Sequence, residues 1–209
     1  LFTLILSLFA RPVFSQEKFK TTYPVNSNIV TYWQQHVDYT MEIDMNIENY
    51  QYTGKQKLVY TNNSPDDLTS IYYHLYPNAF QLGSDMDARL HTIIDPDQRM
   101  IKNIGTKDNP NLISRISQLK PDEIGFIKIK SLEQNGIPIT YKIEGTILEV
   151  NLKQTIKPGE KHVFDMEFLG QVPIQIRRSG RNNKCGVALS MTQWYPKMAE
   201  YDFEGWHTD

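Results

Sequence analysis

One cysteine, Cys185, occurs among 209 residues. A single thiol cannot close an internal disulfide, so the fold must stand on its core and not on cross-links. A catalytic thiol is not supported either, because no histidine lies near Cys185 in the sequence to act as its base. A small buried residue is the expected role. Positive charge is not in excess: 22 Lys and Arg face 24 Asp and Glu. That leaves no field to hold a polyanion, and nucleic acid is not an expected partner. None of the five histidines, His36, His74, His91, His162 and His207, is followed by Glu, and no two lie four apart. The H-E-x-x-H helix that carries zinc and a water-activating glutamate is therefore missing. So are a glycine-rich phosphate loop and any repeat with a period of roughly 20 to 50 residues. No catalysis is expected of these residues by themselves.

What is present begins with Leu1 to Ala10, an apolar run too short to span a bilayer but suited to the core of a secretory signal. Val13 and Ser15 fit the −3 and −1 positions of a cleavage before Gln16. Residues 1–15 are thus expected to be part of a signal peptide, and the protein to be exported: periplasmic, cell-surface or secreted. Residues 16–36 are polar and read as an extended lead-in. Apolar residues make up 40% of the chain, enough for a sizeable core.

From Val37 the chain alternates: Val37, Tyr39, Met41, Ile43, Met45 and Ile47 are apolar and their neighbours polar, the pattern of a long strand with one wet face. The pattern breaks at Asn49-Tyr50 and near Gly54, resumes over Thr53 to Thr61, and turns at 62–67. Ile71 to Tyr76 is an aromatic strand that Pro77 stops. The stretch from Phe80 to Asp122 reads as a long surface excursion. Within it Asn109-Pro110 opens a helix with Leu112, Ile113, Ile116 and Leu119 on one face, and Pro121 ends it. Phe126 to Leu132 and Ile137 to Ile143 flank an Asn135-Gly136 turn, while strands over 147–152 and 162–169 flank Lys157-Pro158-Gly159-Glu160 as a second hairpin. The fold class expected is mainly β, an antiparallel saddle-like or sandwich-like sheet domain over 37–189 with one short helix.

Residues 190–209 mix two Trp, two Tyr and a Phe with Gln, Lys, Asp, Glu and His, so flat apolar surface lies beside directional polar groups, as in aromatic core packing or a ligand cleft. Arg177, Arg178, Arg181 and Lys184 cluster around Gly180, as solvated turn charges or an anion site. Asp85, Asp87, Asp95 and Asp97 offer oxygens for Ca²⁺ but lack the spacing and bidentate Glu of a known loop. His74 and His207 read as structural histidines.

The run Thr192-Gln193-Trp194-Tyr195-Pro196-Lys197-Met198-Ala199, with Tyr201-Asp202 and Gly205-Trp206-His207 behind it, resembles the end of the first domain in aminopeptidase N-like zinc metallopeptidases (the gluzincin aminopeptidases), bacterial secreted type. Tyr73-His74-Leu75-Tyr76-Pro77-Asn78-Ala79-Phe80 and Leu119-Lys120-Pro121-Asp122-Glu123-Ile124-Gly125 resemble the same domain in the same order. The resemblance covers about residues 37–209 and implies the non-catalytic amino-terminal domain of a parent enzyme that hydrolyses peptides near a free amino terminus with zinc-activated water. Zinc would sit outside these residues, on a catalytic domain following Asp209 that is this domain's own partner. Residues 190–209 would line the peptide cleft and lead into it. Relatives carry Thr/Ser-Gln-x-Glu or Thr/Ser-Gln-x-Gln, whose fourth side chain grips the substrate's α-amine. Gln193 keeps its place and Tyr195 stands fourth, a phenol being a weaker partner for an ammonium than a carboxylate. The resemblance implies Gln193 and Tyr195 as substrate-binding residues and assigns no catalytic or metal-binding residue here. The alternative is a free-standing secreted β-sandwich that binds protein or carbohydrate.

Overall fold

The computed structural model describes residues 32–92 and 99–208. The expected signal peptide, residues 16–31 of the lead-in, and Asp95 and Asp97 lie outside the described residues. The long strands are β1 (His36–Asn46), β2 (Gln51–Thr61) and β3 (Leu68–His74); a 3₁₀ turn (Tyr76–Phe80), α1 (Asp85–Leu90), β4 (Ile101–Asn103) and β5 (Leu112–Ser114) follow. Then come β6 (Phe126–Gln134), β7 (Ile137–Pro138), β8 (Tyr141–Glu144), β9 (Ile147–Ile156) and β10 (Lys161–Gln171). Short strands follow: β11 (Gly180–Arg181), β12 (Leu189–Ser190), β13 (Lys197–Met198), β14 (Tyr201–Asp202) and β15 (Gly205–Trp206).

Two antiparallel sheets dominate, a five-stranded one in the order β1-β2-β10-β6-β7 and a four-stranded one in the order β13-β3-β9-β8. Their inner faces share one core. Leu58, Tyr60, Phe164, Met166 and Phe168 come from the first sheet, and Ile71, Tyr73, Leu148 and Val150 from the second. Alternation along β2 and β10 sorts the faces: Lys55, Lys57 and Glu167 point to water while Gln56, Leu58, Met166 and Phe168 are buried. This is the sandwich-like arrangement expected from the short alternating strands. β1 is an edge strand, and no residue in it is fully buried.

Four sequence expectations are corrected. Gly54 does not interrupt a strand; it sits inside β2 opposite Phe168 of β10. A Cβ on Gly54 would stand 2.2–2.8 Å from atoms of the Phe168 ring, so glycine is required where the ring crosses the neighbouring strand. Gly170 mirrors the arrangement: it pairs with Tyr52, whose ring would meet a Cβ at 2.1–2.4 Å. Second, β9 and β10 do not form a hairpin. Each has a dry face, and those faces oppose one another across the core, so the Lys157–Glu160 turn carries the chain from one sheet to the other. Alternation marks a strand's dry side but not which strand lies beside it. The strand after Asn135-Gly136 likewise divides, β7 staying with β6 and β8 joining β9. The turn itself is as expected, with positive φ at both residues.

Third, the helix expected from Asn109-Pro110 is the strand β5 followed by a 3₁₀ turn (Ile116–Gln118), with Leu112 half exposed. Local side-chain bonds outcompete the helix. Asn103 Oδ1 accepts from the N–H groups of Gly105 and Asn111, and the buried Ser114 hydroxyl donates to Asp87 at 2.7 Å. Among the described residues the one α-helix is α1 instead, capped by Ser84, which accepts from Asp87 N–H. Ile116 packs with Met100 and Ile176 in a small second core beneath the excursion. Fourth, Cys185 is exposed and not buried.

Buried amides join the two sheets. Gln134 of β6 donates to Gln154 O and accepts from the N–H groups of Lys153 and Gln154 on β9. Asn62, fully buried, donates to Asp66 O and Ile156 O and accepts from Ser64, while its own backbone bonds Gly159 and Glu160 of the crossing turn. Satisfied networks of this kind fix strand placement, because each broken bond leaves a costly orphan.

Candidate functional site: the aromatic tail

The tail from Ser190 is sewn across the end of the sandwich by bonds to β1, β2 and β3. Tyr52 Oη donates to Trp194 O at 2.5 Å, and Met198 N–H donates to Tyr39 Oη at 2.8 Å. β13 extends the four-stranded sheet by pairing Lys197 with His74 and Met198 with Tyr73, and Ala199 N–H donates to Tyr72 O. Rings reinforce the backbone contacts. Trp194 meets Tyr52 edge-on at 5.9 Å, Tyr195 meets Tyr39 at 5.6 Å, and Trp206 lies against Tyr60, Tyr72 and Tyr201. Burial pushes the Tyr39 phenol up to about 12 and Tyr52 higher still. Both therefore stay neutral, and these anchors hold across the whole physiological pH range.

Gln193 is exposed, with φ of 54°, and Tyr195 is half-buried. The kink at Gln193 turns its side chain outward while Trp194 is retained by Tyr52. Beneath the tail, a hollow lined by Tyr52, Phe80, Met191 and Trp194 holds about 10 Å³, room for one water at most. The tail therefore seals this end of the sandwich, and a ligand would meet it from the outer side. A broader groove of about 380 Å³ crosses the outer face of the five-stranded sheet. It is lined by a mixed ladder in which Lys55 lies between Glu42 and Glu167.

Asp87, Arg181 and His74 are structural parts. Asp87 is buried between Ser114 and Gly83 N–H and ties α1 to β5, so it is spent on the fold. Arg181 lies 4.1 Å over the Tyr50 ring and donates to Asp122 O, which draws it out of the basic cluster. His74 stacks on Tyr76, and its Nε2 is 3.1 Å from His207 O. With the proton on Nε2 it donates to that carbonyl, the structural role expected of it. His207 Nε2 lies 3.0 Å from Asp202 Oδ1. That carboxylate raises the His207 pKa, and the imidazole in turn lowers that of Asp202. Sequence reading missed Tyr39 and Tyr52 as the tail's anchors; they looked like ordinary strand residues, and only the sheet order brings them to it.

No family profile and no curated protein matches the sequence. Solved structures do match. The M1 zinc metallopeptidase of Deinococcus radiodurans is 13% identical with a TM-score of 0.43, covering 78% of this chain. A mutant of it bound to a Tyr-Ser-Ala substrate gives the same values. A two-domain M1 zinc metallopeptidase mutant bound to L-arginine matches over 77% of this chain, again at 13% identity and a TM-score of 0.43. This is a distant likeness of fold. The chain spans 29% of the length of the Deinococcus enzyme and 27% of the two-domain form.

Proposed function

We propose that these residues form the non-catalytic amino-terminal β-domain of an exported, aminopeptidase N-like zinc peptidase, whose substrates are peptides with a free amino terminus. The reading is supported by the resemblance of residues 192–207 to the family's cleft-lining segment. The observation that carries it is that this same segment is rigidly anchored while Gln193 faces outward. A wall residue needs both: a backbone that does not yield and a side chain that reaches the ligand. Zinc and its water-activating glutamate belong to the following catalytic domain, and the contribution of these residues is to limit access and orient the substrate's amino end.

The test uses the complete gene product. It should hydrolyse aminoacyl amides and short peptides, and Gln193→Ala should raise KM about fivefold, the worth of one hydrogen bond of about 1 kcal/mol. Its melting temperature should stay unchanged, since Gln193 is exposed. An inactive full-length product, or a Gln193→Ala variant with unaltered KM, overturns the reading.

A further inference from the structure

The hairpin at the end of the tail gathers three side chains that spacing along the sequence did not single out. Asp202, Glu204 and His207 each bring one donor atom to within 4.8 Å of the other two. Tyr201 pairs with Trp206 and Asp202 with Gly205, whose φ of 104° closes the turn. Glu204 N–H donates to Asp202 Oδ1 at 2.8 Å. His207 is fixed from both sides, its N–H donating to Glu200 O and its carbonyl meeting His74 Nε2. The backbone thus holds the three donors together without help from a ligand.

The contact inside the group is not that of a simple ion pair. His207 Nε2 is 3.0 Å from Asp202 Oδ1; the His207 side chain is 38% exposed, but this nitrogen is itself covered and lies off the line of a well-aligned hydrogen bond. The distance suffices for a hydrogen bond, so the N–H axis must point off the line to the carboxylate. Two ligands at about 2.1 Å on adjacent corners of an octahedral cation stand about 3.0 Å apart, and the axis of each lies about 45° off the line joining them. The 3.0 Å between His207 Nε2 and Asp202 Oδ1 matches that spacing. An imidazole with two carboxylates suits first-row divalent ions. Glu200 adds negative charge beside His207.

We propose that Asp202, Glu204 and His207 bind one first-row divalent cation, Zn²⁺ or Mn²⁺, which clamps the hairpin bearing Trp206. This site is separate from the catalytic zinc of the proposed parent and does not depend on that reading.

The test uses the 209-residue chain carrying Cys185→Ser, so that the exposed thiol contributes no ligand. Titration calorimetry with Zn²⁺ and with Mn²⁺ in chelator-treated buffer should give one ion per chain for at least one of the two. Mn²⁺ should broaden the His207 ring signals in the NMR spectrum. Glu204→Gln and His207→Gln should each weaken binding at least tenfold, whereas Phe203→Ala, at the exposed hairpin tip, should not. Glu204 is also exposed, so its variant keeps the fold and carries the test if His207→Gln does not. No saturable uptake of either ion, or uptake unchanged in Glu204→Gln, overturns the proposal.

Discussion

Phe168→Ala is expected to lower the unfolding free energy of the chain by about 4 kcal/mol, read from urea denaturation followed by tryptophan fluorescence. The ring is fully buried in the shared core, and it also covers the bare backbone of Gly54 on the next strand. Its loss removes the transferred apolar area and leaves a cavity above that glycine. The interaction is testable as a pair. Gly54→Ala alone should cost about 2 kcal/mol, because the new methyl group meets a ring with no room to retreat. In the Phe168→Ala background the same change should cost nothing or add stability, since alanine is better than glycine in a strand interior. A coupling of that sign locates the ring on Gly54. Additive costs would mean that the two positions do not touch.

The second large effect concerns substrate selection. In the complete gene product, Tyr195→Glu should lower KM for peptides with a free amino terminus by about tenfold or more and leave N-acetylated peptides unaffected. A carboxylate there would offer the substrate ammonium a charge-assisted bond of about 1.5–3 kcal/mol, and tenfold corresponds to about 1.4 kcal/mol. Tyr195 is only half-buried, and its ring contacts, with Tyr39 and Trp194, are both edge-on, so the change should be tolerated by the fold. Equal effects on free and acetylated peptides would place Tyr195 away from the amine.

Much of this architecture could be read in the residues, and the misreadings have a common cause. The strands β1 and β9 announced themselves by alternation, β2 by its β-formers, β6 and β10 by the turns that flank them, and Asn135-Gly136 by its positive φ preference. Which strands lie side by side did not follow, because a dry face can be covered by a stacked sheet as well as by a neighbour. Hence β9 and β10 looked like a hairpin although they belong to opposite layers. Gly54 looked like a break because its partner, Phe168, lies more than a hundred residues away. The helix expected after Asn109-Pro110 fitted a helical apolar spacing. Nothing local showed that Ser114 would be held by Asp87 or that Asn103 would close the intervening loop. At the tail, the residue types in 190–207 showed that aromatic and polar groups alternate. The anchoring by Tyr39 and Tyr52 and the convergence of Asp202, Glu204 and His207 arise from sheet order and from the hairpin, which no linear spacing encodes.

The central claim, that the outer side of the tail faces peptide, is tested most directly by placing a thiol there. Gln193→Cys in a Cys185→Ser background of the complete gene product can be alkylated with and without a non-hydrolysable peptide analogue. Bound analogue with a free amine should slow alkylation at position 193 at least tenfold, while the acetylated analogue at the same concentration should not. Equal rates under all three conditions would contradict the claim, leaving residues 190–207 as the sealed end of a sandwich and no more.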